Sequence, residues 1–243
     1  IRLLTPELHS TMLAFLRAAF AAGLALPFLW RAQARGLPLR FTLWKLHLLR
    51  GALIGVALNA GFYAIWQLPM ATATILFFMA PVFATALATL CLGEPVGPRR
   101  WLAIGAGFAG ALLILRPGIG TVEPAMLAAL LSSIAFASSL IIGRRLSEAD
   151  GSDAVFVSSS TVVAFVTLPP ALLVWELPGT GLAWTIIAAL VFASSLRTYA
   201  DIRAYAAADA GFVAPFAYLR LVSIGAIGYL FFGETVEAAT LAG

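Results

Sequence analysis

Charge is what this chain has least of. Only 11% of its 243 residues are Asp, Glu, Lys or Arg, where a soluble domain carries about 25%. Hydrophobic residues make up 62%, so the chain cannot cover itself with polar surface and does not read as a water-soluble globule. Cysteine is nearly missing as well. Cys91 stands alone, which excludes an internal disulfide and a cysteine-rich metal site and leaves a small apolar packing residue. Lysine occurs once, as Lys45, and no G-x-x-x-x-G-K-[ST] pattern is present, so nothing points to a phosphate-cradling loop and ATP as the driving force. Alternating apolar and polar positions are also missing, which argues against transmembrane strands.

What the chain has instead is long apolar runs. Eight of them, at about 9–30, 48–67, 70–92, 101–116, 124–142, 154–175, 183–205 and 210–232, suit a hydrocarbon core about 30 Å thick. Turn residues punctuate them, among them Gly36, Pro38, Pro95, Gly97, Pro98, Pro117, Gly151, Pro178 and Gly179. With eight spans the connections alternate between two sides. One side collects Arg31, Arg35, Arg40, Lys45, Arg50, Arg99, Arg100, Arg144, Arg145, Arg197 and Arg203, which is 11 of the 15 basic residues. The other side has Arg2 and Arg116, while Arg17 and Arg220 fall inside spans. The basic side is therefore expected to be cytoplasmic, and each loop cation reads as a topology determinant. This partition explains the net charge of +4 without a nucleic-acid partner. Both chain ends then fall on the outer side. Residue 1 is Ile and "ATLAG" begins another apolar stretch, so the expectation is a chain lacking one span at each end.

One pattern occurs twice. "LFFMAPVFATALATLCLGE" (76–94) lies over "FAYLRLVSIGAIGYLFFGE" (216–234) without a gap, each closing in Gly-Glu. Upstream, run 9–30 pairs with 154–175 and run 48–67 with 183–205; proline stands near the far end of the first pair, at Pro27 and at Pro169 and Pro170. An odd number of spans separates the copies, so they face opposite ways. Inverted repeats are a common architecture of secondary transporters, with the substrate near the midplane between halves. On the duplicated "LCLGE" and "LFFGE" ends, on "WLAIGAGFAGALLILRPG", on "TPELHSTMLAFLRAAFAAGLALP" and on "RAYAAADAGFVAPFAYLRLVSIGAIGYLFFGE", the chain resembles the EamA-type members of the drug/metabolite transporter superfamily. The resemblance implies an all-α membrane protein of ten helices in two inverted five-helix repeats, of which about eight spans are present. Residues 1–120 would form the first repeat without its first helix, and 121–243 the second without its last.

The candidate site begins with Arg220. A central arginine costs roughly 2.5 to 3.5 kcal/mol on insertion scales, so it is expected to face a cavity or a partner. It holds its proton too firmly to carry one and suits binding a carboxylate or phosphate. The bland alternative is a structural pair with Asp201, Asp209 or a backbone carbonyl. Phe216 and Ser223 lie on its helix face, four and three residues away. Asn59, Tyr63 and Trp66 form a second face, at i, i+4 and i+7, offering an amide, a phenol and an indole to a planar or amphipathic metabolite; an interfacial aromatic belt is the competing account of Trp66. Arg17 is expected to be mainly structural, reaching outward along its own stem. An arginine in the "LRAAFAAG" context is also typical of the resembled family. Pro81 and Pro215 should kink their spans and free a carbonyl. Glu94 and Glu234 match across the repeat at span ends and read as helix termination, with proton coupling as the sharper alternative. Asp201 and Asp209 are proton sites only if buried. The serine clusters and the Gly51, Gly55, Asn59 stripe read as packing. His9 and His47 are single and near span ends, which argues against a metal.

These observations favour a secondary transporter that moves a small organic metabolite, amino-acid-like or otherwise amphipathic, across a bacterial inner membrane by alternating access. The alternatives are an intramembrane enzyme, which would need an acid–base pair the spans do not supply, and a non-transporting structural membrane protein. No cofactor or metal is implied. The expected partners are the substrate and the lipid bilayer, with a homodimer left open and nucleic acid excluded.

Overall fold

A computed structural model describes residues 8–34, 36, 39–68, 70–93, 97, 98, 101, 102, 105, 106, 123–213 and 216. All regular structure among these residues is helical. The elements are α1 (Ser10–Ala34), α2 (Trp44–Gln67), α3 (Met70–Phe77), α4 (Ala80–Leu92), α5 (Pro124–Asp150), α6 (Ser152–Leu172), α7 (Gly181–Ala207) and a short α8 (Ala210–Val213). Among the described residues six spans are long and apolar enough to cross a membrane, with α3 and α4 together making the one at Thr72–Cys91. They match six of the eight expected runs. Most of runs 101–116 and 210–232 lies outside the described residues.

The helix ends follow local chemistry. Proline opens α5, where its missing N–H costs nothing. Gly93, at φ 67°, closes α4 in a left-handed turn that glycine adopts without strain. Thr180 caps α7 by accepting a hydrogen bond from Ala183 N at 3.2 Å. Pro81 has no N–H to donate and interrupts its span between α3 and α4, as expected of it. The Leu76 carbonyl at that break accepts from Met79 N at 3.2 Å and from Ser133 Oγ of α5 at 2.9 Å.

The small-residue stripe of α2 does pack. Gly51 and Gly55 receive Val162 and Val166 of α6; a Cβ on Gly55 would stand 2.5 Å from Val166 Cγ1. On the α5 side, Ser132 Oγ donates to Ala57 O at 2.7 Å. In a bilayer, where apolar side chains gain nothing by leaving lipid, such close contacts and interhelical bonds are what hold helices together. Large apolar side chains in the middle of helices are left uncovered, including Phe165 at 69%, Phe192 at 65% and Leu196 at 60% exposure. Facing lipid, they cost nothing. Cys91 is also exposed and is not the interior packing residue expected.

Asp150, the last residue of α5, accepts from the backbone N–H groups of Thr42 (3.0 Å) and Leu43 (3.3 Å) at the entry to α2. The connection before α2 and the turn after α5 therefore share one end of the bundle, as the charge partition requires. One cation in that partition is misassigned. Arg50 is only 2% exposed, and it is a buried residue of α2 rather than a loop determinant.

Candidate functional site

Four helices meet around a small, partly open cavity of about 50 Å³. α1 contributes Arg17, Ala18 and Ala21; α2 contributes Ile54 and Leu58; α6 contributes Phe156, Ser159, Ser160 and Val163; α7 contributes Ser194, Ser195 and Thr198. Five hydroxyls and one guanidinium thus converge within otherwise apolar spans. A cavity of this size holds a few waters or one polar group of a solute.

Arg17 turns inward. Its Nε donates to Ser194 Oγ at 3.0 Å, and Ser194 is near the middle of α7. The outward reach along its own stem is therefore not what the chain adopts. Among the described residues no carboxylate pairs with it. Ser194 in turn donates to Val191 O at 3.1 Å, and Thr198 donates to Ser194 O at 2.8 Å. Ser195, 7% exposed, keeps a buried Oγ that has no hydrogen-bond partner among the described residues.

Arg50 is built differently. Its Nε donates to Ser139 O at 3.0 Å and its Nη1 donates to Ser159 Oγ. Gly143 of α5 leaves the room: a Cβ there would be 2.7 Å from Arg50 Nε. One turn earlier, His47 is 3% exposed. Its Nε2 lies 3.0 Å from Asp150 Oδ2 and its Nδ1 2.6 Å from Ser158 Oγ. Both ring nitrogens of His47 are thus engaged by side chains of other helices. A polar column runs from Asp150 through His47 to adjacent Ser158 and Ser159, and so to Arg50 and the cavity wall. The signal for Arg50 was available, since it falls inside the apolar run that begins at 48.

The other expected site residues are distributed elsewhere. Asn59 donates Nδ2 to Gly55 O of its own helix at 3.1 Å, and its buried Oδ1 has no partner among the described residues. Tyr63 and Trp66 are exposed, with Trp66 set edge-on to His9 at 4.9 Å between ring centres. α2 presents Ile54 and Leu58 to the cavity, so the Asn59, Tyr63, Trp66 face lies off its described wall. Phe216 is exposed and packs on Phe212 at 5.4 Å. Arg220, Ser223, Pro215, Glu94 and Glu234 lie outside the described residues. Half-buried Asp201 and exposed Asp209 are ion-paired, with Arg197 and Arg144 respectively, each at 3.1 Å. Neither is the buried carboxylate a proton site would need.

Comparison with known proteins places this architecture. The profile of the EamA-like transporter family matches residues 1–116. An S-adenosylmethionine uptake transporter of Rickettsia felis is 30% identical over 237 residues, covering 98% of this chain and 80% of that protein. The chain belongs to the EamA-like transporter family. A riboflavin transporter of Vibrio cholerae is 31% identical over 93% of the chain and 76% of its own length. The pseudopaline exporter CntI of Pseudomonas aeruginosa is 31% identical over 81% and 69%. A solved crystal structure superposes with a TM-score of 0.70 over 99% of this chain and 87% of its own, at 18% identity, which supports the fold alone. This EamA-like chain is a multi-pass integral membrane protein and a small-metabolite transporter rather than an enzyme. Its bacterial relatives fit the inner membrane.

Proposed function

We propose that this EamA-like chain moves an amphipathic organic metabolite across the inner membrane by alternating access, with the cavity between α1, α2, α6 and α7 as its central binding site. The observation that carries the reading is the cavity itself. At membrane depth, a guanidinium that gives only Nε to protein and a buried Ser195 hydroxyl without a partner among the described residues are costly unless a polar solute or water uses them. The full scaffold is ten helices in two inverted repeats, 1–120 and 121–243, with eight spans in this chain. Helix packing supports this. If α1 corresponds to α6 and α2 to α7, the contact of α1 with α7 has its counterpart in that of α2 with α6, and both contacts exist. Each of these two seams also carries one arginine–serine bond, Arg17–Ser194 and Arg50–Ser159.

Further contacts along the path are assigned to Arg220 with Phe216 and Ser223, and to Asn59, Tyr63 and Trp66. Asn59 Oδ1 is an open acceptor. Pro81 and Pro215 are assigned as points where a span can bend. The relatives' names supply the first solutes to test. Proteoliposomes holding the chain should equilibrate radiolabelled S-adenosylmethionine or riboflavin faster than protein-free vesicles. If neither solute nor a broader metabolite pool crosses faster than the protein-free rate, the transport reading fails.

A further inference from the structure

Half-buried Arg17 and buried Arg50 differ in how much of their hydrogen-bonding capacity the protein uses. Arg50 is sealed at 2% exposure and gives both Nε and Nη1 to protein oxygens. Arg17 stands on the cavity wall and, among the described residues, gives only Nε, to Ser194. A guanidinium has five N–H donors in a planar fork that matches an oxyanion in two-point contact. Most of that fork is left for something else. Ser195, next in sequence to Ser194, lines the same cavity with a buried hydroxyl that bonds nothing among the described residues. An orphaned buried hydroxyl is costly unless a ligand or water completes it.

We propose that Arg17 and Ser195 form the subsite for a carboxylate of the transported metabolite, so that the substrates of this chain are small organic acids or zwitterions. The assignment rests on the central-cavity reading above and names the substrate class of that site. Charge favours a carboxylate over a phosphate. Arg17 supplies one positive charge, and Arg197, one helical turn beyond Ser194, is already paired with Asp201 at 3.1 Å. The other nearby guanidinium, Arg50, is sealed behind Ser159 and does not line the cavity, so a dianion would touch only one cation there. Size agrees, since about 50 Å³ admits a carboxylate head and leaves the rest of the solute outside the described cavity. The Arg17–Ser194 bond aims the fork, because Ser194 is itself held by its bond to Val191 O.

The test is binding by the full chain in detergent, read as protection from thermal unfolding. The probes are matched pairs, benzoate against benzamide and N-acetylphenylalanine against its primary amide, with phenyl phosphate as a third arm. The acids should protect and the amides should not. Arg17→Gln should raise the half-saturating acid concentration about 10- to 100-fold, the scale of lost charge-assisted bonds. Arg17→Lys should restore part of it. Ser195→Ala, which leaves the charge in place, should raise it about 2- to 10-fold. Equal protection by acid and amide, or acid-specific protection unchanged in both Arg17→Gln and Ser195→Ala, overturns the subsite. Stronger protection by phenyl phosphate than by benzoate overturns the carboxylate assignment. Flux in vesicles separates the two layers. Transport without acid preference sinks the subsite and leaves the transporter reading intact. Arg17-dependent acid binding without flux does the reverse.

Discussion

Gly143→Ala should damage this protein even though alanine is the better helix former. Gly143 lies inside α5, and replacing a helical glycine by alanine is ordinarily worth about 1 kcal/mol in favour of the mutant. Here the new Cβ would stand 2.7 Å from Arg50 Nε and 3.3 Å from its Cζ and Nη2. The guanidinium must move, and it has little freedom. Nε is bound to Ser139 O at 3.0 Å and Nη1 to Ser159 Oγ, with the residue 2% exposed. A hydrogen bond to a charged group is worth about 1.5 to 3 kcal/mol. Losing the Nε bond and weakening the other, less the propensity gain, leaves a net destabilisation of about 1 to 3 kcal/mol. Reversible unfolding in mixed micelles measures it. Arg50→Met empties the space, so in that background Gly143→Ala should be neutral or stabilising, a coupling that a double-mutant cycle isolates. A Gly143→Ala protein at least as stable as the parent, or equally damaged with Met at 50, would refute the packing argument.

Three further outcomes follow from the helix contacts. Gly55→Ala should cost about 1 to 3 kcal/mol by driving a methyl against Val166 at 2.5 Å, and Val166→Ala should recover most of the loss in the same unfolding assay. Ser133→Ala should cost about 0.5 to 1.5 kcal/mol by removing the interhelical bond to Leu76 O. Ser138→Ala should be close to neutral, because among the described residues that hydroxyl bonds only Ile134 O of its own helix; equal losses at the two positions would contradict the account. Asp150→Ala should cost about 1 to 3 kcal/mol and selectively speed hydrogen exchange at the Thr42 and Leu43 amides, which it leaves without their acceptor.

The sequence was most readable where one physical rule acts alone. Run length against bilayer thickness located the six described spans, because in lipid the backbone has to close its own hydrogen bonds and a helix does so. Pro81 announced its break for the same local reason, a missing N–H. The Gly51 and Gly55 stripe announced close packing. The site was less readable because its chemistry depends on how helices rotate against one another. Arg17 can reach outward or inward from the same Cα, and only the placement of Ser194, 177 positions away, decides for inward. His47 acquires its role from Asp150 and Ser158, more than 100 positions on. The face formed by Asn59, Tyr63 and Trp66 is real as a periodicity, yet α2 turns Ile54 and Leu58 toward the cavity. Serine clusters read as packing divide in practice. Ser132 and Ser133 tie helices together, while Ser159, Ser160, Ser194 and Ser195 line a cavity.

The fit of Val162 and Val166 into Gly51 and Gly55 has a mechanical consequence. The two helices run parallel, and both pairs are spaced by four residues. A slip of α6 by one turn, about 5.4 Å, in one direction would seat Val162 over Gly55 but drive Val166 onto Asn59. In the other direction Val166 would find Gly51 and Val162 would meet His47. Only one register gives each valine a hollow, so the seam behaves as a detent with a single stop. α2 and α6 must then travel as one piece, carrying Ile54, Leu58, Ser159 and Ser160 with them. Any sliding of helices past one another then has to occur at another seam.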